Sequence, residues 1–158
     1  MSDGLLFALT LVSALGCGLM AGVFLAFSAF VMKALARLPP AQGIAAMRSI
    51  NVAAITPAFM GALFGTAALC LALTIAAILR WSEPGAALLL VGGLLYLVGA
   101  IGVTMAFNVP RNNALAALAA DSTDGAGQWA RYVAGWTAWN HVRAAACLAA
   151  GVALTLAL

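Results

Sequence analysis

The chain has 158 residues, of which 66% are hydrophobic and only 7% are charged, with a net charge of +3. A soluble domain carries about 25% charged residues, so this chain has too few polar side chains to cover a surface in water. The basic residues are few and scattered, which argues against nucleic acid as a partner. We therefore expect an integral membrane protein whose main partner is the lipid bilayer.

Three long stretches contain no charged residue, namely 4–32, 49–79 and 84–110. A helix needs roughly 20 residues to cross the hydrocarbon core, so each stretch is long enough. A fourth uncharged stretch, 144–158, is too short by itself, and a helix that crosses there must begin near Thr137. The runs of Leu, Ala and Val lack the alternation of membrane β-strands.

The sequence therefore predicts an all-α fold, an integral membrane four-helix bundle with short loop helices on the cytoplasmic side. The whole chain, 1–158, is expected to form a single transmembrane domain. Its predicted spans are about 5–32, 53–79, 85–108 and 137–158.

The connections between the spans contain strong helix signals. Pro39-Pro40 ends the first span, and the segment after it predicts a helix along the membrane interface. This helix has Arg48 opposite three apolar residues, which are Ile44, Met47 and Ile50. Pro57 is expected to start or kink the second span. A short helix is predicted from Asn113 to Ala120, followed by a break at DSTDGAG, 121–127.

Five of the seven basic residues lie in the two loops at 33–52 and 109–136. Cytoplasmic loops of membrane proteins carry an excess of Lys and Arg. We therefore expect both loops in the cytoplasm and both termini outside, in the inner membrane of a bacterium.

Polar and aromatic side chains are concentrated at this predicted cytoplasmic end. Ionisable residues inside a span are costly and suggest a function. The group comprises Asn51, Asn108, Arg111, Asn112, Asn140, His141 and Arg143, with Trp129, Trp136 and Trp139.

The fourth span presents one inward face. At about 100° per residue, Trp136, Trp139, Asn140 and Arg143 share an arc. The arc continues with small residues that permit close helix packing, namely Ala146, Cys147, Ala150 and Gly151. We expect Asn140 and Arg143 to point into the bundle. His141 lies about 100° away, which argues against a central position for it.

Each of these residues also has a purely structural interpretation. Arg143 can extend to the lipid headgroups, and the tryptophans can form the aromatic belt of a membrane interface. His141 can be a surface histidine. Asn51 and Asn108 can cap or link helices through hydrogen bonds.

Other features point to packing, and no metal or phosphate site is predicted. Gly18 and Gly22 form a GxxxG spacing that predicts close helix packing. The three cysteines fall in three different spans without a CxxC pair and are expected to be buried. The chain has one histidine and no carboxylate within a span, so a metal-ligand set is missing, as is a Gly-rich phosphate loop. We predict no cofactor.

Four segments of the sequence form a familiar pattern, namely GVFLAFSAFVM at 22–32, MRSIN at 47–51, NVPRNNAL at 108–115 and WTAWNHVR at 136–143. Together they resemble the DUF1772 family, also called the anthrone oxygenase family. The resemblance covers nearly the whole chain and implies a small four-helix membrane protein. A few fungal members of this family oxidise an anthrone to an anthraquinone with O₂ and without a known cofactor, whereas most bacterial members have no assigned activity.

The resemblance implies a membrane-embedded, cofactor-independent oxygenase acting on a lipophilic phenolic or polycyclic aromatic substrate. In that role, the general base is His141, with water or the substrate's own phenolate as alternatives. Arg143 and Asn140 stabilise the oxyanion, and Trp136 and Trp139 stack on the rings. Further substrate-binding candidates are Asn108, Arg111 and Asn112 at the mouth, with Asn51, Phe27 and Ser28.

Two alternatives belong to other classes of protein. One is a non-catalytic binding or carrier protein for a lipophilic small molecule, which needs the same pocket but no proton transfer. The other is a structural or accessory membrane subunit. The sequence leaves the oligomeric state open, a homo-oligomer included.

Overall fold

The computed structural model describes residues 3–118 and 124–158. Within them the chain is all-α, as predicted, and forms no strand. It contains the helices α1 (Asp3–Ala36), α2 (Pro40–Ala53), α3 (Pro57–Leu79), α4 (Ala86–Ala116) and α5 (Gly125–Leu156).

Three of these helices, α1, α3 and α4, are long and apolar enough to cross a membrane, which supports an integral membrane protein. α5 has 32 residues, more than the roughly 20 that a span requires, but its first half is polar and it falls outside that set. The structure thus contains three helices that could cross a membrane, where the sequence predicted four spans. The crossing of the membrane by α5, and the placement of the loops in the cytoplasm, stay predictions.

The short turns between helices follow from local sequence. Thr56 caps α3, because its Oγ1 accepts a hydrogen bond from the Phe59 amide at 3.2 Å, and Pro57 takes the first helical position. The second span therefore begins at Pro57 and not at residue 53. Before α4, Gly85 adopts φ +82°, a left-handed conformation that glycine tolerates best.

The third predicted loop is more helical than the sequence suggested. α4 continues through Pro110 to Ala116. Residues 113–116 are therefore helical as predicted, but they are the end of α4 and not a separate helix, and residues 117 and 118 are not helical. Proline removes a helical hydrogen bond and crowds the preceding turn. The wide π-helical turn Thr104–Asn108, which ends two residues before Pro110, accommodates both effects. α5 already begins at Gly125, while positions 119–123 of the predicted helix end and break lie outside the described residues.

α1 and α5 pack against each other in antiparallel orientation. Gly151 lies against the Cys17 side chain, and Asn140, earlier on α5, contacts Phe24, later on α1. Because residue numbers rise along one helix as they fall along the other, these two contacts set the register between the helices. The register brings the last part of α1 beside the WTAWNHVR segment of α5.

The middle of the bundle is a core of sulfur-containing and aromatic side chains. Cys17, Cys70 and Cys147 are free and buried, as predicted, and the Sγ atoms of Cys17 and Cys70 are 4.0 Å apart. Tyr96 is fully buried and its hydroxyl donates to the Leu63 carbonyl at 3.0 Å. This hydrogen bond joins α4 to α3 and satisfies a polar group that would be costly to bury alone.

Glycine packing differs from the sequence prediction in α1. Gly18 and Gly22 face outward, and no neighbouring atom lies within 4 Å of the point that a Cβ would occupy at either residue, so the predicted GxxxG contact is wrong within this chain. In α4, by contrast, Gly92 lies against Leu154 and Gly99 against Ala146. Glycines other than Gly18 and Gly22 therefore make the close contacts between helices, here between α4 and α5.

α2 forms a second layer over one end of the bundle. Met47 is buried, and Gly43 lies against the indole of Trp129 on α5. Arg48 donates to the Leu115 carbonyl at 3.0 and 2.8 Å and to the Leu118 carbonyl at 2.6 Å. The predicted helix is confirmed, but Arg48 is not on its free outer face, because the end of α4 packs there.

Candidate functional site

Asn140 is the central polar residue of the bundle. It is fully buried, and its Nδ2 donates to the Phe24 carbonyl at 2.6 Å and to Ser28 Oγ at 2.7 Å. Ser28 belongs to the π-helical segment Phe27–Val31, a rare helix type that is often found at functional sites. The inward orientation of Asn140 predicted from the helix wheel is confirmed.

Arg143 lies almost one turn further along α5 and is also inside the protein. The residue is 6% exposed, and its guanidinium carbon is 3.7 Å from the centroid of the Phe24 ring, a cation–π contact. Its Nε is buried without a hydrogen-bond partner, and no carboxylate of residues 3–118 or 124–158 pairs with the guanidinium. The side chain therefore occupies the interior position and does not extend along the protein surface.

Asn108 extends this polar interior to α4. It is 1% exposed, and its Nδ2 donates to the Trp136 carbonyl at 3.2 Å. The Oδ1 atoms of Asn108 and Asn140 are buried and have no partner in the described part of the chain. Buried polar atoms without partners are uncommon in proteins, so each needs a physical explanation, of which a catalytic role is one.

An open groove of about 370 Å³ lies between the last part of α1 and the first half of α5. Ser28 and His141 line it together, although His141 is exposed and Ser28 is only 2% exposed. His141 is thus away from the bundle centre, as the helix wheel indicated, yet it faces a concave surface. The other lining residues are Met32, Lys33, Ala36, Val133, Ala134, Thr137 and Ala138.

Ser28 connects the groove to the buried polar residues. Its Oγ accepts the hydrogen bond from Asn140, which leaves its own hydroxyl hydrogen free to act as a donor. The predicted residues His141, Ser28 and Asn140 are therefore brought together, whereas Asn108 and Arg143 are buried behind them and do not line the groove.

The two predicted stacking tryptophans pack against different helices, Trp136 against α1 and Trp139 against α4. Trp136 is buried, with its ring 5.8 Å from that of Phe27 on α1. Trp139 stacks on Phe107 of α4 with ring centroids 3.5 Å apart and planes 6° from parallel. Neither tryptophan lines the groove. Each packs against an aromatic ring of another helix.

The predicted mouth residues form a separate polar layer at the end of the bundle. Arg111 donates to the Phe107 carbonyl at 2.8 Å, and Tyr132 donates to Asn112 Oδ1 at 2.9 Å. Burial raises the pKa of the Tyr132 hydroxyl, and a hydrogen bond with Asn51 acts in the opposite direction. These residues tie α2, α4 and α5 together and do not line the groove.

The sequence prediction missed Lys33 and Thr137 as groove residues. On α1 the lining residues follow helical spacing from Ser28 to Ala36, and on α5 from Val133 to His141. Helical periodicity could have suggested each face separately. Which face of α1 meets which face of α5 depends on their register, which is not encoded locally.

Comparison with known proteins identifies the family of this chain. The family model described as Anthrone oxygenase matches residues 56–153, more than half of the chain. The match includes α3, α4 and most of α5, and so it contains Asn108, Asn140 and His141 but not the α1 side of the groove. No curated protein and no solved structure matches the chain.

Proposed function

We propose that this chain, which belongs to the anthrone oxygenase family, is a membrane-embedded oxygenase that uses no cofactor and oxidises a lipophilic phenolic aromatic of the anthrone type with O₂. The observation that carries the proposal is that the only histidine opens into a groove beside Ser28, which is hydrogen-bonded to buried Asn140. A flat aromatic molecule would lie between α1 and α5, with its reactive carbon at His141.

The proposed first step is a proton transfer. His141 accepts a proton from the activated methylene of the substrate, because imidazole is the side chain that most often acts as a general base. The electron pair of the broken C–H bond moves into the ring system and gives an enolate, whose charge is largely on the oxygen across the ring.

The enolate then reacts with O₂. Its carbon forms a C–O bond, and O₂ takes up two electrons and a proton to give a hydroperoxide on that carbon. Loss of the second methylene hydrogen as a proton, with cleavage of the O–O bond, leaves a carbonyl and releases water. One oxygen atom of O₂ enters the product and the other becomes water, so no external reductant is required.

The polar residues at the level of His141 would stabilise the oxyanion that forms when O₂ adds to the reacting carbon. Ser28 can donate its hydroxyl hydrogen into the groove because Asn140 occupies its acceptor position. The Arg143 guanidinium lies behind it in a region of low dielectric, where a positive charge acts more strongly than in water. Asn140 and Arg143 thus have a positioning and electrostatic role, while Ser28 and His141 contact the substrate.

The test is turnover by the purified protein in detergent with an anthrone under O₂, after subtraction of the rate without protein. His141→Ala should lower kcat/KM by about 100-fold or more, the usual contribution of a general base. Val142→Ala is the matched control, since Val142 is exposed on the same helix but does not line the groove. With ¹⁸O₂, one labelled atom should appear in the quinone. A His141→Ala variant as fast as wild type would exclude the proposal.

A second candidate is a binding or carrier protein for a lipophilic small molecule. The open shape of the groove and its mostly apolar lining favour this function. It predicts that wild type binds an aromatic ligand without converting it, and that His141→Ala binds equally well. Turnover above the protein-free rate would exclude it.

A further inference from the structure

The groove carries one distinct positive charge. Lys33 is the only lysine in the chain, and it is the only Lys or Arg among the nine groove-lining residues. None of the nine is acidic, so the ammonium group has no carboxylate partner within the groove. No salt bridge to Lys33 occurs in residues 3–118 and 124–158.

The helix register fixes where this charge lies relative to His141. The hydrogen bond between Asn140 and Ser28 places His141 at the level of Ser28. Lys33 follows Ser28 by five residues, so it lies about one helical turn further along the groove. The surface between the two groups is mostly apolar, with Met32 on one helix and Ala138 on the other, and it includes one hydroxyl, that of Thr137.

We propose that Lys33 binds the anionic oxygen of the substrate, so that the groove selects a flat aromatic molecule with one negatively charged oxygen. This inference rests on the proposed function, which takes the groove to be the substrate site. In an anthrone-type ring system, the carbon that loses a proton and the oxygen that receives the charge lie across one ring from each other. With the carbon at His141, this oxygen is directed toward Lys33.

Lys33 and Arg143 therefore have different roles. The Arg143 side chain is buried against Phe24 and does not line the groove. Lys33 is exposed within the groove and its flexible side chain can reach a ligand oxygen directly. A charge-assisted hydrogen bond of this kind is stronger than one between neutral groups, so it discriminates an anionic ligand from a neutral one.

The experiment compares two unreactive probes, anthraquinone-2-carboxylate and anthraquinone-2-carboxamide, in an uncharged detergent without phospholipid. Binding is measured by quenching of tryptophan fluorescence. Lys33→Met should weaken carboxylate binding about tenfold and change carboxamide binding less than about twofold. Lys33→Arg should keep most of the preference for the carboxylate. Arg37→Met is the matched control, because Arg37 is exposed one turn later and does not line the groove.

Two results would overturn the inference. One is an unchanged preference for the carboxylate in Lys33→Met. The other is an equal loss in Arg37→Met, which would indicate general attraction to a basic surface, as for a lipid headgroup. Turnover of an anthrone, measured on the same preparations, separates this inference from the proposed function. A Lys33-dependent preference without any turnover in wild type would refute the oxygenase and support the anion site.

Discussion

Asn140 on α5 and Ser28 on α1 are joined by a hydrogen bond of 2.7 Å from Nδ2 to Oγ. The same Nδ2 donates to the Phe24 carbonyl at 2.6 Å, so one amide group holds two consecutive turns of α1. These bonds fix the register of the two helices and orient the Ser28 hydroxyl at the groove. They are therefore the link between the packing of the bundle and the chemistry proposed for its surface.

Asn140→Ala should destabilise the protein by about 1–2 kcal/mol, because it removes two buried hydrogen bonds and leaves the Ser28 and Phe24 oxygens without their donor. Thermal unfolding in detergent, followed by circular dichroism, measures the change. Asn113→Ala on the exposed side of α4 is the matched control and should be neutral. Equal stability of the Asn140 and Asn113 variants would show that the interhelical bonds contribute nothing.

Arg143 and Phe24 should be energetically coupled. A double-mutant cycle of Arg143→Met and Phe24→Leu is expected to give a coupling free energy of about 1 kcal/mol, the magnitude of a partly desolvated cation–π contact. Chemical denaturation of the four proteins in detergent supplies the four free energies of unfolding. Additive effects, within about 0.3 kcal/mol, would contradict the contact.

Arg48 should stabilise the end of α4. Its guanidinium donates to the Leu115 and Leu118 carbonyls, at and just beyond the last turn of α4, where a helix carries partial negative charge. Arg48→Ala is expected to cost about 1.5–3 kcal/mol and to accelerate amide exchange in the last turn of α4. Arg37→Ala is the matched control, because it removes an exposed arginine near the end of α1. It should change neither the stability nor the amide exchange of α4. The reverse order of effects would refute a capping role for Arg48.

Gly43→Ala should destabilise the contact between α2 and α5. A Cβ at this position would lie 2.7 Å from Cζ2 of Trp129, a side chain that is 4% exposed and has little room to move. Overpacking of this kind costs about 1–3 kcal/mol. The melting temperature should fall, and the tryptophan emission maximum should shift as Trp129 is displaced.

Gly18→Ala is the matched control for Gly43→Ala, since no atom lies within 4 Å of a Cβ at residue 18. Alanine has the higher helix propensity, so this variant should be neutral or slightly stabilising. A destabilisation as large as that of Gly43→Ala would contradict the outward position of Gly18.

Local sequence was sufficient to predict the helices α1, α3 and α4 and the inward face of α5. Uncharged runs and helical repeats of small residues are local properties of the sequence. The uncharged runs correspond to the three long apolar helices, and the repeat on α5 correctly predicted that Asn140 and Arg143 are buried. The start of α5 was predicted too late, because a polar first half does not resemble a span although it is helical. The continuation of α4 through Pro110 was missed, because proline normally indicates a helix boundary and the π-helical turn that accommodates it has no distinct residue pattern.

Composition and periodicity by themselves thus determined that this protein is an all-α membrane protein with a polar, basic end. Only the tertiary structure decided that His141, which points away from the bundle centre, shares a groove with Ser28 and Lys33. The physical reason is that a groove between two helices depends on their register and orientation. Those are set by contacts between residues more than 100 positions apart in the sequence, such as the hydrogen bond from Asn140 to Ser28.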